Sequence, residues 1–159
     1  MRAGYEQECA LPHPHDSDVL LGTFADLHNA RSLGVDAVVS LCRLGRDDLS
    51  AAGVAPEDHV EMWLVDSELT DDNAHLDFVL DEAAAAVQAF RAEGKRVLLH
   101  CVAAQQRTPS VALRYAVRLG VDPDVAATAI VSSLPSTRGR GLLWRTALEA
   151  ASPTTAKGA

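Results

Sequence analysis

Short Val- and Leu-rich runs alternate with helix-patterned segments along most of the chain, and that alternation leaves few folds open. The strand candidates are Val19–Leu21, Ala37–Leu41, Val60–Val65 and Val97–Leu99. The helix candidates lie between and after them. Phe24–Leu33 stops at Gly34, Arg46–Ala52 at Gly53, the Ala-rich Asn73–Ala92 at Gly94, and Ser110–Leu119 at Gly120. Asp122-Pro123 reads as a helix start, with an N-cap and then a proline in the first turn. Gly141–Ala150 gives a last helix. Strands that alternate with helices must pair mainly in parallel, with helices covering the sheet. The expectation is an α/β fold: a mainly parallel central sheet of about four to five strands flanked by helices on both faces. Residues 1–17, with their Pro and His, read as an irregular arm, 18–151 as a single domain and 152–159 as a loose tail.

Composition narrows the function classes. With 159 residues at 48% hydrophobic, the chain can bury one proper core. A formal charge of −8 argues against nucleic acid or an anionic membrane as partner. No eighteen-residue apolar run marks a membrane span, and no basic start with an apolar stretch marks a secretory signal. The three cysteines, Cys9, Cys42 and Cys101, are widely spaced and form no CxxC pair, which suits a reducing cytoplasm. The histidines show no metal-ligand spacing beyond His13-Pro14-His15, so neither a metal nor a cofactor is expected. Trp63 and Trp144 read as packing residues.

The chemistry concentrates in "VLLHCVAAQQRTPSVALRYA", residues 97–116. Cys101 ends the most strand-like run, at the edge of a parallel sheet where ligands bind. The helix behind it points free N–H groups and a positive dipole end at the cysteine, which favours an anion or a thiolate. Arg107 supplies a planar fork that matches two phosphate oxygens. Between them Val102, Ala103, Ala104, Gln105 and Gln106 can turn their N–H groups inward as a cradle. Thr108 can donate a hydrogen bond to the cysteine sulfur and make it a better leaving group. Together these describe a nucleophile beneath a bound phosphate.

HCVAAQQRT resembles the His-Cys-x5-Arg-Ser/Thr loop of the protein tyrosine phosphatase superfamily. "VLLGTFADLHNARSLGVDAVVSLC" and "LRYAVRLGVDPDVAATAIVSSLP" are similar to the strand–helix–strand and the later helices of its dual-specificity branch. The resemblance spans roughly Val19 to Glu149, and the composition hints at a GC-rich bacterial source. It implies metal-free hydrolysis of phosphate monoesters through a cysteinyl-phosphate. One carboxylic acid serves both steps in that family, from a loop upstream of the cysteine. Asp66, directly after Val60–Val65, takes that place, while Asp71 and Asp72 read as helix-capping residues. The resemblance also implies that His100 hydrogen-bonds within the loop and helps hold the thiolate.

Two departures and two extensions complete the reading. The family usually has Gly where this chain has Ala104, which keeps open a phosphate-binding pseudophosphatase that recognises a phosphorylated partner without turnover. The loop interior carries no positive charge, which disfavours inositol lipids. The partner is therefore a phosphorylated protein or a small phosphate monoester. Arg138 and Arg140 in "PSTRGRG" fall where the family borders its active site. Cys42 ends "AVVSLC", whose tip a parallel sheet delivers to the same edge as Cys101. That position matches the redox-partner cysteine of some dual-specificity-like phosphatases.

Overall fold

The computed structural model describes residues 10–149. Five strands form one sheet: β1 (Leu11–His13), β2 (Asp16–Gly22), β3 (Ala37–Ser40), β4 (His59–Glu61) and β5 (Val97–His100). Their order is β1-β2-β5-β3-β4. β2, β5, β3 and β4 run parallel, and β1 pairs antiparallel with β2 at one edge. The helices described are α1 (Phe24–Leu27), α2 (Asp48–Ala52), α3 (Leu76–Ala92), α4 (Arg107–Arg118), α5 (Pro123–Ser133) and α6 (Leu142–Leu148).

The two-residue period of a strand sorts the core into two layers. Val19, Leu21, Val39, Val97 and Leu99 face the larger layer and pack with residues of α3 to α6. Leu20, Val38 and Leu98 face the smaller one, with Leu27 of α1 and Ala52 of α2. Helices therefore cover both faces, as the alternation of strands and helices requires. α4 lies deepest: every residue from Thr108 to Val117 is buried. Its lone buried cation, Arg114, pairs with Asp77 at 2.8 Å and donates to the Asp77 and Thr146 carbonyls. That satisfies most of a charge which would otherwise be expensive to bury.

Several elements differ from the sequence reading. The end of the expected irregular arm is part of the sheet, with Leu11 opposite Leu21 and Pro12 opposite Leu20. A proline is tolerated there because β1 is an edge strand. Buried His13 ties this hairpin down. Its Nε2 donates to the Ala112 carbonyl at 2.9 Å, and its Nδ1 accepts the His15 N–H at 3.0 Å. Burial lowers its pKa to about 4, so the ring is neutral. β4 stops at Glu61 rather than Val65. The Met62 N–H makes the last contact with β3, and the chain then turns toward Asn73. α3 begins at Leu76, because Asn73 spends its side chain on the backbone of Val65. α1 is a single turn followed by turns up to Gly34. Trp144 is buried, but Trp63 is 61% exposed on the edge-strand side, beneath the Arg43 guanidinium at 4.4 Å. Cys9 and the expected tail lie outside the described residues.

Register levels the strand ends. His100 sits opposite both Gly22 and Ser40, so β2, β5 and β3 finish on one line. Cys101 and Cys42 fall just past that line.

Candidate functional site

The loop from Cys101 to Arg107 leaves β5 and enters α4 directly. Its carbonyls are nearly all engaged away from the loop interior. Val102 O accepts the Phe24 N–H at 3.2 Å, Gln105 O the Arg138 N–H at 2.9 Å, and Gln106 O the Ser110 N–H at 2.9 Å. Ala104 O accepts the Ser136 hydroxyl at 2.7 Å. The N–H groups are treated differently. That of Ala104 donates to Cys101 Sγ at 3.2 Å. Those of Val102, Ala103, Gln105 and Gln106 have no acceptor among the described residues. Carbonyls tied back beside amides that have no acceptor among the described residues give the loop the makings of an anion-binding nest, with the N-terminus of α4 adding its dipole. Ala104 reaches this shape at φ +56°, in the left-handed region. An alanine there costs about 1 kcal/mol relative to glycine.

Arg107 closes the loop. Its Nη1 donates to the Leu64 carbonyl at 3.1 Å, and its Nε is buried with no partner among the described residues. A buried donor without an acceptor is costly unless a ligand supplies one. Cys101 is 2% exposed at the bottom of the nest. Thr108 does not donate to the sulfur as expected. Its hydroxyl is turned to the Gly22 carbonyl at 3.4 Å, because the first turn of α4 packs on the end of β2.

His100 sits in a directional chain of hydrogen bonds. Burial lowers its pKa to about 4, so it carries one ring proton at neutral pH. A carbonyl only accepts, so Nδ1 donates to Cys101 O at 3.1 Å. Nε2 then accepts the Ser40 hydroxyl at 2.7 Å, and Ser40 Oγ in turn accepts His59 Nε2–H at 3.0 Å. Three strands are thereby cross-linked under the cysteine. Cys42 is buried near Cys101 and Arg107, and burial pushes its thiol up.

The segment after β4 brings the carboxylates. Asp66 is exposed, and its Oδ1 accepts Gln106 Nε2–H. Asp66 thus meets the 101–107 loop. Asp71 and Asp72 lie in a short 3-10 turn, where Asp72 accepts the Ser67 hydroxyl. Asn73 clamps Val65 twice, accepting its N–H and donating to its carbonyl, both at 2.8 Å. Glu68 Oε1 accepts the Leu142 N–H at 2.9 Å. Arg138 Nη2 donates to Gln105 Oε1 at 3.0 Å. Arg138, Arg140 and Arg145 line a hollow with Glu68 and Gly141, and none of the three forms an ion pair among the described residues.

Sequence reasoning missed Asn73, Ser136 and the side-chain role of Gln106. An asparagine before a helix reads as a cap, and a serine in a loop reads as solvent-facing. Only the fold shows which backbone each one meets.

This arrangement belongs to a known fold class. A mainly parallel five-stranded sheet with a cysteine loop between the central strand and a buried helix is the dual-specificity phosphatase-like fold. Solved structures of that class superpose on the chain. A phosphatase named PTP-2 from Cydia pomonella matches with a TM-score of 0.68 at 21% identity, over 88% of each chain. Human DUSP28 matches with a TM-score of 0.65 at 20% identity, over 82% of this chain and 88% of its own. The human tyrosine phosphatase-like serine/threonine/tyrosine-interacting protein matches with a TM-score of 0.63 at 12% identity, over 83% and 89%. No family model and no curated sequence matches the chain. No described helix is long and apolar enough to cross a membrane.

Proposed function

We propose that the chain is a cysteine-dependent phosphatase that hydrolyses phosphate monoesters through a cysteinyl-phosphate. The observation that carries this reading is the loop after Cys101, whose carbonyls are nearly all tied back while four amides and Arg107 Nε have no acceptor among the described residues. A tetrahedral oxyanion is the natural ligand of such a nest. Cys101 attacks phosphorus as the thiolate, the P–O bond to the leaving group breaks, and Asp66 gives that oxygen a proton. Water then attacks phosphorus, Asp66 takes its proton, and the S–P bond breaks to release inorganic phosphate and the thiolate. Arg107 and the amides of Val102 to Gln106 hold the equatorial oxygens through both steps. Ser40, His59 and His100 fix the Cys101 carbonyl and so the angle of the nucleophile. Thr108 acts through the packing of α4 rather than on the sulfur.

The substrate proposed is phosphotyrosine in a protein, with phosphoserine, phosphothreonine and small phosphate monoesters as alternatives. Arg138, which meets the loop at Gln105, and Arg140 and Arg145 in the same hollow form no ion pair among the described residues and suit an anionic ligand on a chain of formal charge −8. A thiolate nucleophile needs a reducing compartment, so the proposed location is cytoplasmic. Ala104 at positive φ favours one second reading, a phosphate-binding module without turnover.

Hydrolysis of 4-nitrophenyl phosphate tests the reading. Steady turnover is expected and is abolished in Cys101→Ser; on phenyl phosphate, whose leaving oxygen needs the proton, Asp66→Asn should lower kcat/KM about 100-fold with vanadate binding kept. Vanadate binding without turnover in the wild type selects the binding module. Turnover that survives Cys101→Ser sinks both readings.

A further inference from the structure

We infer that the side chain of Gln106 is a positioning residue that holds Asp66 in the orientation needed to transfer its proton. The inference rests on the phosphatase reading and goes beyond the role of Gln106 as one of five cradle residues.

Gln106 is only 3% exposed, although its neighbours Gln105 and Val102 face solvent or the loop surface. Its amide has one hydrogen-bond partner among the described residues, Asp66 Oδ1, which Nε2 reaches at 2.5 Å. Its Oε1 is buried with no partner among the described residues. A carboxylate can only accept, so the amide must turn its NH2 toward Asp66 and leave Oε1 facing protein. A buried amide oxygen without a donor costs about 1–3 kcal/mol. A leucine or methionine would fill the same space without that penalty. The amide is therefore poorly suited to a packing role and well suited to holding a carboxylate.

The surroundings keep it in place. Gly141, at φ +101°, lies so close that a Cβ there would stand 2.8 Å from Gln106 Oε1 and 2.6 Å from Glu68 Oε2. Glu68 is itself fastened to the Leu142 N–H. Three segments thus interlock: the cysteine loop, the Asp66 segment and the turn before α6. The consequence for Asp66 is chemical. With Oδ1 occupied by an N–H donor, a proton on the carboxyl group must sit on Oδ2. Oδ2 has no hydrogen bond within the described residues. It is the oxygen left to give a proton to the leaving group and to take one from water. Without Gln106 the carboxyl can rotate and lose this assignment.

Proton donation matters most when the leaving oxygen is strongly basic, which gives the test its selectivity. In Gln106→Met, kcat/KM for phenyl phosphate, which reads only the steps through departure of the leaving group, is expected to fall about thirtyfold, since small misplacements of a reacting group are that costly. With 4-nitrophenyl phosphate, whose leaving group scarcely needs a proton, the fall should stay within about threefold. Vanadate inhibition should hardly change. Gly141→Ala, which crowds the same amide from its other side, should show the same selective loss. A crystal structure of Gln106→Met with vanadate should show Asp66 displaced and the 101–107 loop unchanged. Equal loss of kcat/KM on both substrates, or weakened vanadate inhibition, would mean that Gln106 serves the loop and not Asp66. An undisplaced Asp66 overturns the inference as well. No turnover by the wild type on either substrate removes the phosphatase reading instead, and the displacement of Asp66 alone then decides whether the tie exists.

Discussion

Ala104 shows how strongly the rest of the site dictates its shape. The left-handed conformation disfavours alanine, yet the loop adopts it, held by two hydrogen bonds and by burial. Cys101 Sγ takes the Ala104 N–H, Ser136 holds the Ala104 carbonyl, and the methyl group is fully buried. Cys42 carries the other question at this scale. Burial pushes its thiol up, so Cys101 is the sulfur that peroxide should oxidise first and Cys42 the one that resolves it. We expect mild peroxide to give a Cys42–Cys101 disulfide and thiols to restore activity. Peptide mapping decides this. Recovery of a reduced Cys42 beside a Cys101 oxidised to sulfinic acid would mean that the pair does not exist.

At the scale of elements, the segment from Leu64 to Glu68 is held by side chains and not by a strand. Asn73 meets both backbone groups of Val65, so Asn73→Ala removes two hydrogen bonds, a loss of about 1–2 kcal/mol. Hydrogen exchange should quicken in residues 64–69 and stay unchanged in β5 and α4. Quickening throughout would show that Asn73 supports the whole fold instead. The same segment marks where the sequence stops being legible. The β5–loop–α4 passage could be read, because strand period, cysteine, arginine and helix pattern all lie within one stretch of chain. The apolar "VEMWLV" looked like strand to its end, but pairing with β3 runs out at Met62, and only the fold shows that. Thr108 was read toward the sulfur from its position alone, whereas the packing of α4 on β2 turns it to Gly22. Ser136 and Asn73 were invisible because their partners lie far away in the chain.

Across the whole molecule, two neutral histidines tie the sheet to its surroundings. His13 fastens the edge hairpin to α4, and His100 joins β5 to Ser40 of β3. Burial lowers both pKa values to about 4, against about 6.5 in an unfolded chain. Below about pH 6.5 the unfolded chain takes up protons that the folded one refuses. Stability is therefore lost as pH falls from about 6.5 to about 4 and levels off below. Each group contributes on the order of 3 kcal/mol to this loss. Urea midpoints measured from pH 7 to pH 4 should fall, and the slope should flatten in His13→Gln, whose amide can still donate to Ala112 O. An unchanged slope would place the acid sensitivity elsewhere.

The Asp66 segment is fastened to the rest of the fold at Leu64, Val65, Asp66 and Glu68. A segment ordered in advance gives up little conformational freedom when a ligand arrives, where a loose one would lose about 1–2 kcal/mol per residue. On the proposed phosphatase reading, a segment tied at four residues leaves little for a closing motion to do, so bond making and breaking or product departure should set the pace. The same rigidity fixes the width of the entrance. Selection among phosphorylated ligands then falls to their own shape, since the protein has little room to adapt around them.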